Sequence, residues 1–422
     1  MDHPDHRRIG RELGIFANDE LCGSGLPLWL PAGAAVRAEI ERFVVELERK
    51  NGYQHVYTPE LAKRELYVRS GHWEHFHDDM YPPMRTGTEQ VVLRPMNCPH
   101  HILVFAAQRR SVRDLPIRFA ELGTMFRHER SGVVGGLSRV RQMTLNDGHV
   151  FCLPEHLEAE IGNILAMVEV AYEALGIPAP HYRLSLRGPG PKYVADDELW
   201  QRSETVLRAA LRNLGADYEE APDEAAFYGP KIDLQVSDPQ GREETLSTVQ
   251  VDFHLPGRFD LAAYDGDTRA RPVMIHRSIV STMERMVAHL LEVHDGALPV
   301  WLAPCQVRIV PIVDDAVEHS LMVRDRLRDC GVRVEVDDRD ATLAARIRDA
   351  QHDKVPYVAV IGRREAASAS VAVRLRDGRQ LDPLAVDDFV TLVATTADRR
   401  SSQLVGQTFT AAERFDQGPA PR

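Results

Sequence analysis

The sequence predicts an α+β fold over roughly the first 300 residues, followed by a smaller α/β domain. Strand-like and helix-like segments follow one another there without regular alternation, which is typical of a largely antiparallel sheet flanked by helices. A proline-flanked break at Leu298–Pro304 then precedes a region in which strands and helices alternate. Such alternation is typical of a small, separate α/β domain.

The first long element is a helix predicted over Ala32–Lys50. Its apolar side chains recur at spacings of three and four, with charges on the other face: Val36, Ile40, Phe43, Val44 and Leu47. Gly52 lies where such a helix ends. The short strand at Tyr53–Tyr57 that follows is stopped by Pro59.

The remaining elements of the first region mix strands and helices. Strands are predicted at Gln90–Arg94, Ile117–Leu122, Arg183–Leu186, Ile232–Val236 and Thr245–Phe253. Helices are predicted at His101–Arg109, at Pro154–Leu175 and from near Ile279 to about His294.

The region after the break carries its own pattern. Its predicted strands are Val307–Val313, Val332–Val336 and Tyr357–Gly362, and its predicted helices are Val317–Cys330 and Leu343–His352. We therefore expect one domain at residues 1–300, a second at residues 305–397, and a flexible polar tail at residues 398–422.

Composition narrows the class of protein. The 422 residues are 44% hydrophobic and 27% charged, which is ordinary for a globular protein. No stretch approaches the roughly 20 apolar residues that span a bilayer, and the polar start at Met1–Glu12 lacks the apolar core of a secretory signal. The net charge of −12 counts mildly against a general DNA or RNA binder, but it does not exclude a local basic face. The five scattered cysteines do not form a disulfide framework. We expect a cytoplasmic protein that binds neither membrane nor DNA.

Three residues form a possible metal-binding set: Cys98, His149 and His276. They are far apart in the sequence, so their spacing is weak evidence. A lone cysteine is more often structural, and a lone histidine more often a hydrogen-bonded polar residue, so both interpretations stay open at this point.

A group of arginines forms a second candidate site. Its members lie among apolar and small residues: Arg127, Arg139, Arg141, Arg277 and Arg285. They are either ordinary surface charges or a polyphosphate-binding set, because guanidinium groups bind phosphate oxygens bidentately. Glu129, two residues after Arg127, would lie on the same strand face and could accept a hydrogen bond from the amine of adenine. The sequence contains neither a Walker A loop nor Gly-x-Gly-x-x-Gly.

These residues lie in longer strings that closely resemble the threonyl-tRNA synthetase family, which belongs to class II. The strings agree in order and spacing: SGHWEHFHDDMY (Ser70–Tyr81), RPMNCPHH (Arg94–His101), Arg118–Phe151, AFYGPKIDL (Ala226–Leu234), STVQVDFHLP (Ser247–Pro256), PVMIHRSIVSTMER (Pro272–Arg285) and VWLAPCQV (Val300–Val307). The resemblance runs from about Gly14 to about Leu392. It implies a class II antiparallel catalytic sheet, a C-terminal anticodon-binding domain and, from the helix ending near Lys50 and the turn at Pro59, a homodimer.

The resemblance also implies a role for each matching residue. The residues implied to bind ATP with Mg²⁺ are Arg127 at the α-phosphate, Glu129 at adenine, Arg139 near the γ-phosphate, Gln250, and Arg285, which packs on adenine and reaches the phosphates. The residues implied to have catalytic roles are Arg127, Lys231 and His72. Of these, His72 matches a histidine linked to transfer of the amino acid onto the tRNA ribose.

Amino-acid recognition and tRNA binding are implied in the same way. Asp147, Tyr228 and Arg127 match residues around the amino acid, and Asp147 matches the carboxylate that accepts from the threonine hydroxyl. Cys98, His149 and His276 match the ligands of one Zn²⁺ per chain. Glu365 and Arg374 match positions that contact the anticodon.

This implied site would select threonine over valine. Three protein ligands leave zinc an open position, which threonine fills with its amino group and hydroxyl. Valine lacks the hydroxyl and leaves zinc and Asp147 unsatisfied, so it is rejected strongly. Serine carries both groups. The chain also departs from the family by lacking the N-terminal region that removes serine from wrongly charged tRNA, so we expect serine activation without self-editing.

Several pocket positions differ from the family: His100, Met143, Leu145, Thr245, Ser247 and Ser281. Asp340 likewise replaces an asparagine associated with the anticodon. These changes indicate a divergent copy with an altered substrate, altered inhibitor sensitivity or reduced use of tRNA.

The sequence thus favours a threonine–tRNA ligase that uses ATP, L-threonine and tRNA(Thr). Two alternatives stay open. One is a paralogue that adenylates threonine or a related β-hydroxy amino acid for an acceptor other than tRNA. The other is a non-catalytic binding paralogue, against which the intact candidate residues count.

Overall fold

The computed structural model describes residues 4–190 and 192–405. The predicted α+β class is confirmed, since a large, mainly antiparallel sheet is flanked by helices and followed by a smaller α/β sheet. Among the described residues, no helix has both the length and the apolarity needed to cross a membrane. Residues 406–422 of the predicted flexible tail lie outside the described residues, whereas Leu404 and Val405 pack against the C-terminal core.

The helices, in chain order, are α1 (His6–Glu12), α2 (Pro31–Lys50), α3 (Arg64–Ser70), α4 (His72–Phe76), α5 (Cys98–Ala106), α6 (Leu157–Leu175), α7 (Asp197–Leu214), α8 (His254–Arg258), α9 (Met283–Val293), α10 (Val317–Asp329), α11 (Leu343–His352), α12 (Arg363–Ala367) and α13 (Val386–Asp398). Short 3₁₀ turns lie at His77–Asp79, Val112–Asp114, Pro154–His156 and Asp314–Ala316.

The strands, in chain order, are β1 (Phe16–Ala17), β2 (Leu28–Trp29), β3 (Gln54–His55), β4 (Leu61–Lys63), β5 (Met84–Thr86), β6 (Glu89–Leu93), β7 (Arg110–Ser111), β8 (Ile117–Phe126), β9 (Gln142–Cys152), β10 (His181–Leu186), β11 (Tyr218–Pro222), β12 (Lys231–Ser237), β13 (Glu243–Asp252), β14 (Ala263–Asp265), β15 (Thr268–Ala270), β16 (Val273–Ser278), β17 (Val307–Pro311), β18 (Val334–Val336), β19 (Tyr357–Ile361), β20 (Ser370–Leu375) and β21 (Leu384–Ala385).

The main sheet has the strand order β11-β10-β12-β13-β16-β9-β8-β3. Its inner pairs, from β10 to β8, are antiparallel, and only the outermost pairs β10/β11 and β3/β8 are parallel. Successive side chains of a strand point to opposite faces. On one face, Val150 and Ile275 join the large core formed with α2, α6, α7 and α9, whereas on the other Phe151 and Met274 pack with α5 and α8.

The C-terminal sheet has the order β18-β17-β19-β20-β21. Its first three strands pair in parallel and its last three antiparallel. Helices α10 and α13 pack on it around a core of its own.

Several predicted boundaries were wrong for local physical reasons. The helix expected from Ile279 begins at Met283, because Thr282 caps it and accepts from the Arg285 amide at 3.1 Å. Ser281 just before the cap has a φ of 58°, which a helix cannot continue. Helix α5 begins at Cys98, three residues before the predicted start, with Pro99 in its first turn.

The break at Leu298–Pro304 is packed between the two regions. Leu298 and Trp301 belong to the large core, while Val300 belongs to the C-terminal core. Arg333 donates to the Trp301 carbonyl at 2.6 Å and Arg376 to the Leu298 carbonyl at 2.6 Å. Guanidinium groups from the C-terminal region therefore bind the backbone of the connection.

A fully buried ion pair ties α2 to the centre of the main sheet. Arg277 on β16 contacts Glu48 at 2.6 Å, with both side chains 0% exposed, and its guanidinium lies 4.4 Å from the ring centroid of Tyr53. Glu48 also accepts from Asn146 at 2.7 Å and pairs with His55 at 2.9 Å. Burial alone would raise the pKa of Glu48, but the Arg277 charge and these contacts lower it.

The substitution Glu48→Gln should destabilise the protein because it leaves the Arg277 charge buried without its counter-ion. We expect a loss of about 3 kcal/mol in the free energy of unfolding, measured by urea denaturation. Glu12→Gln is the matched control, since its pair with Arg8 at 3.2 Å is exposed and its removal should change stability by less than about 0.5 kcal/mol. Equal effects of the two substitutions would contradict the structural role of the buried pair.

Candidate active site

A cavity of about 240 Å³ opens on the face of the main sheet that carries α5. Its wall brings together residues from distant parts of the sequence: Met96, Cys98, Met125, Arg127, Met143, Leu145, Asp147, Tyr228, Thr245, Leu246, Ser247, Thr248, Gln250, His276, Arg277, Ser278, Ser281, Thr282 and Arg285.

Strand register explains why several candidates meet here. Lys231, Gln250, His276 and His149 lie directly opposite one another on β12, β13, β16 and β9. Directly opposed residues of antiparallel strands project from the same face, so these four form one row across the sheet. Asp147 lies two residues before His149 and therefore shares its face.

The predicted metal set is assembled. The ligand atoms of Cys98, His149 and His276 all lie within 4.8 Å of one another, and all three residues are buried. Burial raises the pKa of the Cys98 thiol, with the Asp147 and Asp252 charges as further causes, and burial lowers the pKa of His149 well below its usual value. A cysteine and two histidines are a donor set typical of catalytic zinc.

The tautomer of His276 follows from its carboxylate partner. Its Nε2 lies 2.8 Å from Asp252 Oδ2, and because a carboxylate accepts, Nε2 carries the proton. The lone pair of His276 is then on Nδ1, which lies 3.0 Å from His149 Nε2.

The tautomer of His149 follows from a second chain of hydrogen bonds. Glu121 Oε2 lies 3.2 Å from His101 Nε2, so His101 donates there and accepts with Nδ1. His149 Nδ1 lies 2.8 Å from His101 Nδ1 and is therefore the donor. The lone pair of His149 is left on Nε2.

Two lone pairs thus face each other across 3.0 Å beside a thiol. Such an arrangement is repulsive unless a cation lies between the nitrogen atoms. The outer contacts to Asp252 and Glu121 are those that orient metal-binding histidines. The residues present therefore fit a thiolate–imidazole metal ion.

Asp147 and Tyr228 form the wall beside this cluster. Burial raises the pKa of Asp147 to about 7, an effect that the Arg277 charge opposes. The Tyr228 ring stacks on His276 with centroids 4.8 Å apart, and its hydroxyl donates to Gln250 Oε1 at 2.6 Å. Together they place a carboxylate and an aromatic surface next to the metal-binding atoms.

The other end of the cavity is cationic. Arg127 and Arg285 both line it, and burial together with the nearby Arg285 charge lowers the pKa of Arg127. Within the described part of the chain, the Arg285 guanidinium donates two long hydrogen bonds, at 3.5 Å, to the carbonyls of Ser138 and Thr245. Two guanidinium groups held this close are suited to a polyanion.

Arg127 and Glu129 lie in the connection between β8 and β9, residues 127–141, and not on a strand face as the sequence suggested. Strand β8 ends at Phe126, and the Glu129 amide donates to the Arg127 carbonyl at 2.8 Å in a tight turn. Arg139, which is more than half exposed, pairs with Glu129 at 2.9 Å.

Two of the candidate arginines have structural roles. Arg277 is neutralised by Glu48 on the far side of the sheet. Arg141 donates to the Glu129 and Ser24 carbonyls at 2.9 and 3.1 Å and so holds the connection. The sequence pattern could not separate them from Arg127 and Arg285.

Lys231 and His72 lie outside the cavity wall. The Lys231 ammonium pairs with Asp233 and lies next to Gln250 in the row across the sheet. His72 is buried against Phe227, with its Nδ1 2.8 Å from Ser70 Oγ, and burial lowers its pKa to about 3. Glu365 and Arg374 lie on the neighbouring elements α12 and β20 of the C-terminal region, where Glu365 accepts from the Gly362 amide at 2.9 Å.

Most of the altered pocket positions contact the cavity. Met143 and Leu145 form an apolar wall with Met125 and Val140. The Ser247 hydroxyl donates to the Ile279 carbonyl. Thr245, Ser247 and Ser281 also line the cavity, and His100 lies outside it, buried beside Tyr67.

Sequence reasoning missed the residues that orient the metal set. Asp252 follows Gln250 by two residues on β13, and His101 follows Cys98 by one helical turn on α5. These spacings place Asp252 on the same strand face as Gln250 and His101 on the same helix face as Cys98. This shared face is the signal from which the two residues could have been found in the sequence.

Two family models match the chain. Residues 81–294 match the tRNA synthetase class II core domain (G, H, P, S and T), and residues 306–396 match the anticodon binding domain. Together they cover the main sheet except its edge strand β3, the cavity, and the C-terminal sheet.

Comparison with individual proteins also identifies tRNA synthetases as relatives of the chain. The chain is 49% identical over 399 residues to the threonine–tRNA ligase of Halalkalibacterium halodurans, covering 94% of this chain and 62% of that one. It is 51% identical over 392 residues to that of Staphylococcus carnosus, covering 92% and 60%. The chain thus spans about three fifths of the length of these relatives.

A solved structure is similar over nearly its whole length. It is described as the RNA binding domain of threonyl-tRNA synthetase from Cryptosporidium parvum, and it matches with a TM-score of 0.88 and 34% identity, covering 93% of this chain and 98% of that one. Sequence, core model and fold agree: the chain belongs to the class II tRNA synthetases, within the threonyl-tRNA synthetase family.

Proposed function

We propose that the chain is a threonine–tRNA ligase that activates L-threonine with ATP and transfers it to tRNA(Thr), as a cytoplasmic homodimer. The observation that carries this proposal is the single cavity that joins a Cys–His–His metal set and Asp147 at one end to Arg127 and Arg285 at the other. A hydroxy amino acid fits the first end, and the phosphates of ATP with Mg²⁺ fit the second.

Recognition of the amino acid rests on buried polar groups. Cys98, His149 and His276 would hold Zn²⁺, which supplies a Lewis-acid position for the amino and hydroxyl groups of threonine. Asp147 next to them accepts a hydrogen bond from the hydroxyl. Leaving these buried groups unsatisfied is costly, so an amino acid without the hydroxyl is excluded.

Activation needs positioning and charge neutralisation. The threonine carboxylate oxygen forms a bond to the α-phosphorus as the bond to the β-phosphate oxygen breaks and pyrophosphate leaves. Arg127 stabilises the charge on the α-phosphate, and Arg285 and Arg139 stabilise the departing oxygens. Glu129, held by Arg139 at 2.9 Å, is the hydrogen-bond acceptor for adenine.

Dimer formation is supported by an apolar surface groove of about 680 Å³ next to Pro59. Tyr57 in its wall is 96% exposed, and Leu61 and Leu103 are 46% and 44% exposed. Large apolar side chains that share one exposed groove mark an association surface. Transfer to tRNA would use the anticodon-binding domain with Glu365 and Arg374, while Lys231 and His72 would act from outside the cavity wall.

A second candidate function has one specific observation in its favour. Ser281, where the family has glycine, lies at the cavity with a φ of 58°, and Leu145 presents an apolar side chain beside it. A cavity altered in this way could serve adenylation for an acceptor other than tRNA. Charging of tRNA(Thr) by the purified chain tests this directly: robust product supports the ligase, whereas threonine-dependent ATP–pyrophosphate exchange without product supports the second function.

Amino-acid selectivity gives a quantitative test. In ATP–pyrophosphate exchange, kcat/KM for serine should be about 10- to 200-fold below that for threonine, because only one methyl contact is missing. Valine should be rejected by about 10⁴-fold or more, because it leaves buried polar groups unpaired. Asp147→Ala should lower the value for threonine and leave that for valine unchanged. If serine supports no detectable exchange under conditions in which threonine saturates the enzyme, the proposed mode of amino-acid selection is contradicted.

Zinc content gives a test that does not need activity. The purified chain should hold about one equivalent of zinc, and Cys98→Ala should lose it because one of three ligands is removed. Cys152→Ala is the matched control, since Cys152 is also buried but lies outside the cluster. Asp252→Asn should weaken zinc binding about 10- to 100-fold. Zinc retained in full by Cys98→Ala would refute the site.

A further inference from the structure

His6 lies where helix α1 meets two elements that carry residues of the proposed mechanism. It belongs to α1, it is buried, and it contacts both α9 and the connection 127–141. Helix α9 carries Arg285, and the connection carries Arg127, Glu129 and Arg139.

Both nitrogens of the His6 ring are engaged. Nδ1 lies 2.7 Å from Glu292 Oε1 on α9, and because the carboxylate accepts, Nδ1 carries the proton. The unprotonated Nε2 accepts from the Leu137 amide at 3.2 Å. The His6 backbone amide also donates to Glu292 Oε1, at 3.1 Å, so the tautomer and the ring orientation are both fixed.

The bond from Leu137 lies inside the turn that presents Arg139. Gly135 and Arg139 pair across this turn, with N–O distances of 3.1 and 3.4 Å. Gly136 has a φ of 53°, and a Cβ on it would lie 2.2 Å from His6 Nε2. The turn therefore packs directly on the imidazole ring and has no room for a larger side chain there.

The same turn reaches the second phosphate-directed arginine. Ser138, next to Leu137, offers its carbonyl to the Arg285 guanidinium at 3.5 Å. Leu137 itself is fully buried in the large core. A single turn thus carries Arg139 and, through the Ser138 carbonyl, contacts Arg285.

His6 is also close to Asp5 and Glu292 in an arrangement that could suit a metal ion. This alternative is disfavoured because both ring nitrogens already have partners and the Asp5 carboxylate binds Arg7 at 2.9 Å. A metal ion would have to displace these contacts.

We propose that His6 is a positioning residue for ATP: its Nε2 atom, oriented by Glu292, holds the Leu137 turn so that Arg139 and Arg285 face the polyphosphate. This inference rests on the proposed function of the cavity. It assigns a role in ATP binding to the first helix of the chain, which contributes no residue to the cavity wall.

Two variants, each of which imitates one nitrogen of the imidazole ring, separate this role from simple packing. In His6→Gln, the side-chain oxygen can replace Nε2 and accept from Leu137, but the donor to Glu292 is lost. In His6→Asn, the amide can replace Nδ1 and donate to Glu292, but the acceptor for Leu137 is lost. Arg8→Gln, on the exposed face of the same helix, is the control for changes in α1.

The order of the variants tests the inference. We expect His6→Asn to raise the KM for ATP by about 3- to 10-fold, the loss of one buried hydrogen bond. His6→Gln and Arg8→Gln should stay within about 2-fold of the wild type, and the KM for threonine and the zinc content should not change. Dissociation constants for Mg-ATP, measured by calorimetry, should follow the same order.

The alternative outcomes are distinct. Equal changes in both His6 variants, changes in the threonine KM as well, or no change in any variant would overturn the role of the Leu137 bond while leaving the ligase proposal intact. If the dissociation constants for Mg-ATP follow the expected order of variants but the chain shows no exchange activity, the ligase proposal is overturned and the inference is supported. A wild-type chain that binds no ATP would overturn both.

Discussion

The buried contact between Arg277 and Glu48 is the interaction on which the site depends. It crosses from β16 to α2, and its polar partners extend to Asn146 on β9. Asn146 and Gly148 alternate along β9 with Asp147 and His149. One face of this strand therefore contacts the ion pair, and the other carries the candidate ligands.

This alternation links stability to site geometry. A Cβ on Gly148 would lie 2.2 Å from Cζ of the Arg277 guanidinium. Only glycine therefore fits between Asp147 and His149. A buried charge is costly unless it is paired. The pair therefore fixes the spacing of two strands as well as offsetting its own desolvation.

The sequence predicted most of the elements whose periodicity is clear, and it missed strands in which no periodicity is present. Helix α2 was predicted to within one residue because its apolar positions repeat with the helical period. Strand β9 was missed because it is buried on both faces and carries polar groups such as Asn146 and Asp147, so neither alternation nor an apolar run is present. Helix α7 was missed as well, although its buried positions recur at helical spacings: Trp200, Ser203, Leu207, Ala210 and Leu211.

The candidate site depended on different information. Residues as distant as Cys98 and His276 come together only through strand order, which periodicity does not give, so the family resemblance supplied them. It did not supply the partners of each residue. Only the three-dimensional structure shows that Asp252 and Glu121 set the histidine tautomers. The same is true of the neutralisation of Arg277 by Glu48.

The packed connection at Leu298–Pro304 has a consequence for any long ligand. Its apolar residues belong to both cores, and Arg333 and Arg376 bind its carbonyls, which restricts hinge motion at this point. The separation between the C-terminal sheet and the cavity is then set by the protein. Under the proposed function, a tRNA that contacts both must adapt its own curvature to that length, and its bending energy then becomes part of its selection.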